Sequence, residues 1–223
     1  MARPPRNALT LPRLIVCEGA ADEAFLRALV QQRGLPALSI RHPGDLDTGG
    51  RGGIDKLGWL LAGIRAWNGF TAVTDLLIVA DNDTDPDGNF ARVGQQLANA
   101  GYPVPAAPLA AAEAPNQPRV CVLMLPWTNE QGTLDALCLG PARAAAPGIA
   151  SCVDAFAACV QASGQDHAQR QAAMALRVLL AGAHAKNPGI GLGRVWQDNP
   201  ALIPLDHAAF DRVARVLADF ATG

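Results

Sequence analysis

The feature that most constrains this chain is a short apolar run that ends abruptly in a series of acids. Residues 76–80, L-L-I-V-A, have the length and branching of a buried strand. Aspartates follow at alternate positions, namely Asp81, Asp83, Asp85 and Asp87. Because an unpaired carboxylate is costly to bury, we expect these acids where the strand leaves the core, at its carboxyl end. Open α/β sheets bind ligands at that edge, so the sequence predicts a ligand site there.

Carboxylates this closely spaced favour a hard divalent cation, and three kinds of site remain open. An EF-hand calcium loop matches from Asp83 to Gly88, but Gly94 then replaces its final glutamate and a strand precedes it. A phosphatase of the haloacid dehalogenase type would use Asp81 as nucleophile and Asp83 as acid/base. That family carries a D-x-D-x-T motif, which residues 81–84 resemble in part, in its first strand. It also has a second acidic pair further along the chain, which is not evident here. The third kind is a site that Asp81 and Asp83 share with an acid at the end of the first strand, Glu18.

Composition limits the class of protein. Half of the 223 residues are hydrophobic, which excludes a disordered chain. The net charge of −2 gives no overall attraction to nucleic acid, so such binding would need a local basic surface or metal ions. The first residues contain no apolar core of signal-peptide length, no apolar run is long enough to span a membrane, and the five cysteines include no C-x-x-C pair. We therefore expect a cytoplasmic protein with reduced thiols and no membrane partner.

Strand and helix patterns alternate over the first 140 residues. Apolar runs predict strands at 14–17, 38–40, 76–80 and 119–125, and helical spacing of apolar residues predicts helices at 20–33, 54–67, 90–100 and 133–139. This alternation predicts an α/β fold with a mainly parallel sheet of about four strands covered by helices. The glycine-rich loop at 41–53 is interpreted as a surface loop, and cradling of a phosphate is the alternative.

The character of the chain changes after residue 140. Alanine-rich helical patterns cover 144–164 and 165–183, a loop-like segment covers 184–200, and a last amphipathic helix covers 206–220. We predict a catalytic core at 1–140 and a helical C-terminal part at 141–223, packed together as one compact unit.

Two motifs at predicted strand ends resemble the signature of Toprim domains. The first strand, L-I-V-C, is followed by E-G-A-A-D, in which Glu18, Gly19 and Asp22 match the E-G-x-x-D motif. Asp81 and Asp83 occupy the two acidic positions of the Toprim D-x-D, again after an apolar strand. Two motifs in the right order, both at strand ends, are much more specific than either alone.

The resemblance is closest to the small Toprim families related to OLD-family nucleases, and it extends along most of the chain. The segment M-L-P-W-T-N-E-Q-G-T-L-D-A-L is similar to a strand, turn and G-x-L-E segment of that group, and residues 204–220 are similar to its closing helix. Thr133 and Asp135 resemble the group's hydroxyl-x-acid pair, with aspartate in place of the usual glutamate. Lys186, in a late polar loop, is a possible match to the lysine that those nucleases place near the phosphate.

The resemblance implies Toprim chemistry at one edge of the sheet. Glu18, Asp81 and Asp83 would hold Mg²⁺ or Mn²⁺, and Asp22 would face the same ion or a second one. Gly19, Thr133 and Asp85 would support the site, although Asp85 is also interpreted as a turn residue beside Pro86. For catalysis we expect Glu18, Asp81, Asp83 and Lys186, and for metal binding Glu18, Asp22, Asp81, Asp83 and Asp135.

The implied function is a metal-dependent nuclease or phosphoryl-transfer protein that acts on DNA or RNA. The alternative from another class is a non-catalytic Toprim-like module that binds nucleic acid, a nucleotide or a partner protein. The chain carries no P-loop, so an ATPase, if one is used, would be a separate partner protein.

Overall fold

The computed structural model describes residues 8–46, 53–162 and 170–223. Four parallel strands form one sheet in the order β2-β1-β3-β4. Their bounds are β1 Arg13–Cys17, β2 Ser39–Arg41, β3 Asp75–Asp81 and β4 Arg119–Leu125. The structure therefore confirms the predicted α/β fold with a parallel sheet of four strands.

Eight α-helices lie within the described residues. They are α1 Ala20–Gln32, α2 Ile54–Ile64, α3 Pro86–Asn99, α4 Leu134–Ala145, α5 Pro147–Ala162, α6 Gln171–Ala183, α7 Leu192–Asp198 and α8 Asp211–Thr222. None of these helices is long and apolar enough to cross a membrane.

Helices cover both faces of the sheet. One face of the strands packs against α2 and α3, and the other packs against α1 and the helices that follow β4. Successive residues of β3 alternate between these two cores, which is why the whole run from Leu76 to Ala80 is apolar. The boundary predicted at residue 140 falls within α4, and α6, α7 and α8 share a core with β1, β3 and β4.

Two element predictions need correction. The segment 184–200 was predicted as loop, but it contains α7, whose Leu192, Val195 and Trp196 are buried. Glycines before α7 and Asn199-Pro200 after it leave only two turns of helix, which is too short for a periodic pattern to be visible. The helix predicted at 90–100 begins at Pro86, because the carboxylate of Asp85 caps it.

Further segments differ from the prediction at their ends. The helix predicted at 54–67 ends at Ile64, and the one predicted at 133–139 continues to Ala145. The last helix was predicted from residue 206, but α8 begins at Asp211 after a 3₁₀ turn at Ala208–Phe210. The segment predicted as a loop at 41–53 begins with the last residue of β2 and a 3₁₀ turn at Pro43–Leu46. Its proposed phosphate cradle falls largely on residues 47–52, outside the described residues.

Candidate metal site

Strand order brings the two acidic motifs together. From β1 the chain passes to β2 on one side of it and then returns to β3 on the other, so the connections diverge between β1 and β3. Open α/β sheets bind ligands at such a switch point. Glu18 follows β1, Asp81 ends β3, and the Oε1 atom of Glu18 accepts a hydrogen bond of 2.7 Å from the backbone N–H of Asp81.

The amino ends of two helices bring further acids to this edge. Asp22 lies in the first turn of α1, and its Oδ2 atom accepts from the backbone N–H of Gly19 at 2.8 Å. Asp135 lies in the first turn of α4, and the backbone N–H of Leu134 donates to Oδ1 of Asp81 at 2.9 Å. The positive ends of both helix dipoles therefore partly offset the negative charge at this edge.

The electrostatics of these acids indicate crowding of negative charge. Burial, with further contributions from the charges of Asp22 and Asp83, raises the pKa of Glu18 from 4.5 to about 7. Burial, followed by the charge of Asp135, raises the pKa of Asp22 to about 6. Burial and the charges of Asp22 and Glu18 also raise the pKa of Asp81. These acids on their own therefore resist full ionisation at neutral pH.

Asp83 occupies a tight corner beyond β3. Its φ of 47° lies in the left-handed region, which aspartate tolerates better than most residues. The backbone N–H of Gly132 donates to its carbonyl oxygen at 2.6 Å, and Asn89 of α3 donates to its Oδ2 atom at 3.2 Å. The carboxylate of Asp83 is exposed, and its charge contributes to the raised pKa of the half-buried Glu18 and Asp81.

Two buried asparagines that the sequence analysis did not single out hold this corner. The side-chain amide of Asn82 donates to the carbonyl oxygens of Trp127 and Glu130, each at 2.7 Å, and to that of Thr128 at 3.3 Å. Asn89 donates to the carbonyl oxygen of Asn82 at 2.9 Å. The first amide ties the end of β3 to the loop after β4, and the second ties it to α3. The only sequence signal is an asparagine between two acids, which does not reveal these partners.

A cleft of 830 Å³ opens beside the acids. Asp83, Thr133 and Asp135 form part of one wall, and α5 and α6 form the other with Phe156, Arg170 and Arg177. Burial raises the pKa of Asp135, whereas the charge of Arg177 lowers it. Acidic, basic and aromatic side chains therefore line the same cleft.

Two predicted site residues lie apart from this group. Asp85 caps α3 by accepting from the backbone N–H of Gly88 at 3.0 Å, which agrees with its interpretation as a turn residue. Lys186 is exposed and lies beyond the carboxyl end of α6, whereas residues of the first two turns of α6 line the cleft. No contact within the described residues joins Lys186 to the acids, so its role stays a prediction.

A second group of titratable side chains lies around Glu23 of α1, the residue after Asp22. Within the described ranges, ligand atoms of Glu23, His42 and Asp45 lie within 4.8 Å of one another, beside a pocket of 510 Å³. Burial would raise the pKa of Glu23, but hydrogen bonds from His42 and Arg27 lower it to about 2. Cations therefore already balance Glu23, in contrast to the crowded acids at the sheet edge. The hydrogen bond from His42 to Glu23 therefore gives this histidine a structural role.

We expect His42→Gln to destabilise the protein more at about pH 6 than at about pH 9. The hydrogen bond from Nε2 of His42 to Glu23, at 3.2 Å, raises the pKa of the histidine. This stabilisation is complete below the unfolded pKa of about 6.5 and is lost as pH rises through the higher folded value. Thermal melts of both proteins across this range test the sign, and a deficit that grows with pH would contradict it.

The acids at the sheet edge fit a hard divalent cation. All candidate donors are carboxylate oxygens, which suit Mg²⁺ or Mn²⁺. Glu18 and Asp81 each use one carboxylate oxygen to accept from the backbone, which fixes the side chain and leaves the second oxygen for a ligand. A cation among these carboxylates would also offset the repulsion that raises their pKa values.

Comparison with known proteins gives one family. The model of the family described as "Protein of unknown function (DUF3226)" matches residues 12–221, from the residue before β1 to the last turn of α8. Neither the curated proteins nor the solved structures include a significant match. The family match covers both acidic motifs, the cleft and the helices of its far wall, and on that basis the chain belongs to the DUF3226 family.

Proposed function

We propose that this protein is a Toprim-type nuclease that depends on Mg²⁺ or Mn²⁺ and acts on nucleic acid. The observation that carries the proposal is the hydrogen bond from the backbone N–H of Asp81 to the carboxylate of Glu18. It joins the E-G-x-x-D and D-x-D motifs at the carboxyl ends of neighbouring parallel strands, where the Toprim resemblance requires them.

The chain's own residues have distinct roles in this proposal. Glu18, Asp81 and Asp83 would hold the cation, while Asp22 and Asp135 would hold a second ion or orient its water ligands. A bound cation would supply a water of lowered pKa and neutralise charge on the scissile phosphate. The backbone hydrogen bonds to Glu18 and Asp81 keep both carboxylates in place before a ligand arrives, which lowers the cost of binding.

Charge around the cleft supports a phosphodiester substrate. Asp83 and Asp135 line the cleft together with Arg170 and Arg177. A phosphate that bridges a cation on the acidic wall to a guanidinium on the other wall would meet positive charge on both sides.

We expect Glu18→Gln and Asp81→Asn each to reduce Mn²⁺-dependent cleavage of nucleic acid by about 100-fold or more. Both substitutions keep the shape and the backbone hydrogen bond but remove the charge that holds the cation. The measurement is cleavage of labelled single-stranded and duplex DNA and RNA with Mn²⁺ and with Mg²⁺.

Asp87→Asn is the matched control, since Asp87 is an exposed acid of the same segment in the first turn of α3. It should cleave like the unaltered protein. Full activity in both Glu18→Gln and Asp81→Asn would refute the proposal.

A second function, a binding module without catalysis, is favoured by one observation. Within the described residues, the group of ligand atoms close enough for one metal ion is that of Glu23, His42 and Asp45, and it includes none of the five acids at the sheet edge. Those acids would have to move together around a cation. Calorimetric titration with Mn²⁺ separates the two functions, since a non-catalytic module would bind nucleic acid or a partner without metal at Glu18 and Asp81.

A further inference from the structure

We propose that the cleft between the acids and the α5–α6 pair binds single-stranded nucleic acid, with Phe156 stacked on a base and Arg170 and Arg177 on phosphates. The inference rests on the proposed function only for the position of the bound strand relative to the acids. Phe156 and Arg177 lie on α5 and α6, Arg170 directly precedes α6, and neither acidic motif includes these helices.

The first observation is the state of the two arginines. Carboxylates hold most arginines of the described ranges, at Arg13, Arg27, Arg33, Arg92, Arg119, Arg143, Arg194 and Arg212. Arg170 and Arg177 are exposed, line the cleft and form no ion pair with any described residue. Their guanidinium groups are therefore available to an anion, and guanidinium binds phosphate in a bidentate manner.

The second observation is an exposed aromatic ring in the same cleft. Phe156 has 43% of its surface exposed and is one of three large hydrophobic residues so exposed in the described chain. It lies on α5, whose one buried residue is Val153, so the ring of Phe156 is not part of the hydrophobic core. An aromatic ring beside unpaired arginines is the combination with which proteins hold a single strand, because each base offers a face for stacking.

Size and charge favour a single strand over a duplex. The cleft volume of 830 Å³ falls within the range of pockets for single ligands, so it accommodates a short segment of one strand. A duplex recognised through its backbone would need an extended basic surface, and the chain has a net charge of −2. Stacking on Phe156 also requires a base that is not held within a double helix.

The cleft also sets the position of the strand relative to the acids. Arg177 lies near enough to Asp135 for its charge to lower the pKa of that carboxyl, although the two form no ion pair. A phosphate on Arg177 would therefore lie next to the acidic wall that Asp83 and Asp135 share. Stacking on Phe156 and pairing with the arginines would hold the strand on the far wall while a neighbouring phosphate faces the acids.

The test is fluorescence anisotropy of a labelled oligothymidylate of about 12 nucleotides, with phosphorothioate linkages to resist cleavage, measured with Mn²⁺ and with EDTA. We expect the full chain to bind it more tightly than a duplex of equal length. Phe156→Ala should weaken binding about tenfold through lost stacking. Arg177→Ala should weaken binding and reduce the slope of log affinity against log salt by about 0.7.

Arg215→Ala is the matched control, because Arg215 is also exposed and without an ion pair in the described chain, but it lies on α8 away from the cleft. It should bind like the unaltered protein. The inference would be overturned if Phe156→Ala and Arg177→Ala both bound the oligonucleotide as tightly as the unaltered protein. Preference for the duplex, or no binding of the oligonucleotide, would also overturn it.

Calorimetry with Mn²⁺ on the same proteins separates this inference from the proposed function. The cleft variants should keep Mn²⁺ binding, since none of their substituted residues belongs to the acidic edge. If the cleft variants keep not only Mn²⁺ binding but also full cleavage, the inference is refuted and the nuclease proposal stands. Oligonucleotide binding that depends on Phe156 in a protein without Mn²⁺ binding would refute the nuclease and leave the inference standing.

Discussion

Glu18→Gln is expected to raise the melting temperature of the metal-free protein at about pH 8 by roughly 5 °C, although it removes a proposed catalytic group. Burial raises the pKa of Glu18 from 4.5 to about 7, so the folded state binds a proton that the unfolded chain has released. Stability is therefore lost as pH rises from about 4.5 to about 7, by at most about 3 kcal/mol. Glutamine keeps the acceptor for the N–H of Asp81 and avoids this loss.

The same variant separates the stability of the site from its ligand binding. The charges that act on Glu18 include those of Asp22, Asp83 and Arg92, and the acid Asp81 is its hydrogen-bonded neighbour. With Mn²⁺ at about pH 8, the unaltered protein should gain stability by mass action, and Glu18→Gln should gain much less. At about pH 5 the two metal-free proteins should melt at similar temperatures.

Differential scanning calorimetry at the two pH values, with and without Mn²⁺, measures both effects. Asp87→Asn serves again as control, with an expected change within about 0.5 kcal/mol at either pH. A metal-free Glu18→Gln protein that melts well below the unaltered one at about pH 8 would contradict this account of the site.

The second large effect is expected at Asn82, where Asn82→Asp should destabilise the protein by about 3–5 kcal/mol and lower the melting temperature by roughly 10 °C. The side chain is fully buried, and its amide is the donor for the carbonyl oxygens of Trp127, Thr128 and Glu130. Aspartate would replace this donor with an acceptor, leave those oxygens unsatisfied and add a negative charge beside acids that already repel one another.

Asn99→Asp is the matched control for this substitution. Asn99 is an exposed residue at the end of α3, and its Oδ1 atom accepts from Gln95 at 2.8 Å, a role that aspartate retains. Chemical denaturation of the three proteins gives the free energies of unfolding. A loss at Asn82 no larger than that at Asn99 would show that the amide does not hold the loop after β4.

The fold was predictable because its strands are buried on both faces. The fourth strand was predicted at 119–125 and is observed as Arg119–Leu125. The continuous apolar run V-C-V-L-M-L is typical of a strand that is buried on both faces. A helix such as α7 was not predictable, because two turns between breaking residues give no periodicity. Its existence depends on burial of Val195 and Trp196 against the rest of the chain, which a local pattern does not contain.

The candidate site was predictable only in part, for a related reason. Acids at strand ends are visible as an interruption of an apolar run, so Glu18, Asp81 and Asp83 could be found from the sequence. The partners of Asn82 are backbone carbonyl oxygens some 45 positions away along the chain, and a backbone acceptor leaves no trace in residue type. Arg177 was likewise invisible, because only the packing of α6 on α4 places it across from Asp135.

The attachment of α5 has a consequence for how the cleft works. This helix packs on α4 and α6, and its only buried residue is Val153, whereas the acids lie at the end of strands buried on both faces. Local opening requires least free energy where few apolar contacts are lost. Displacing α5 would therefore cost few apolar contacts and leave the carboxylates in place, so the cleft that we propose for a single strand would open from its α5 side.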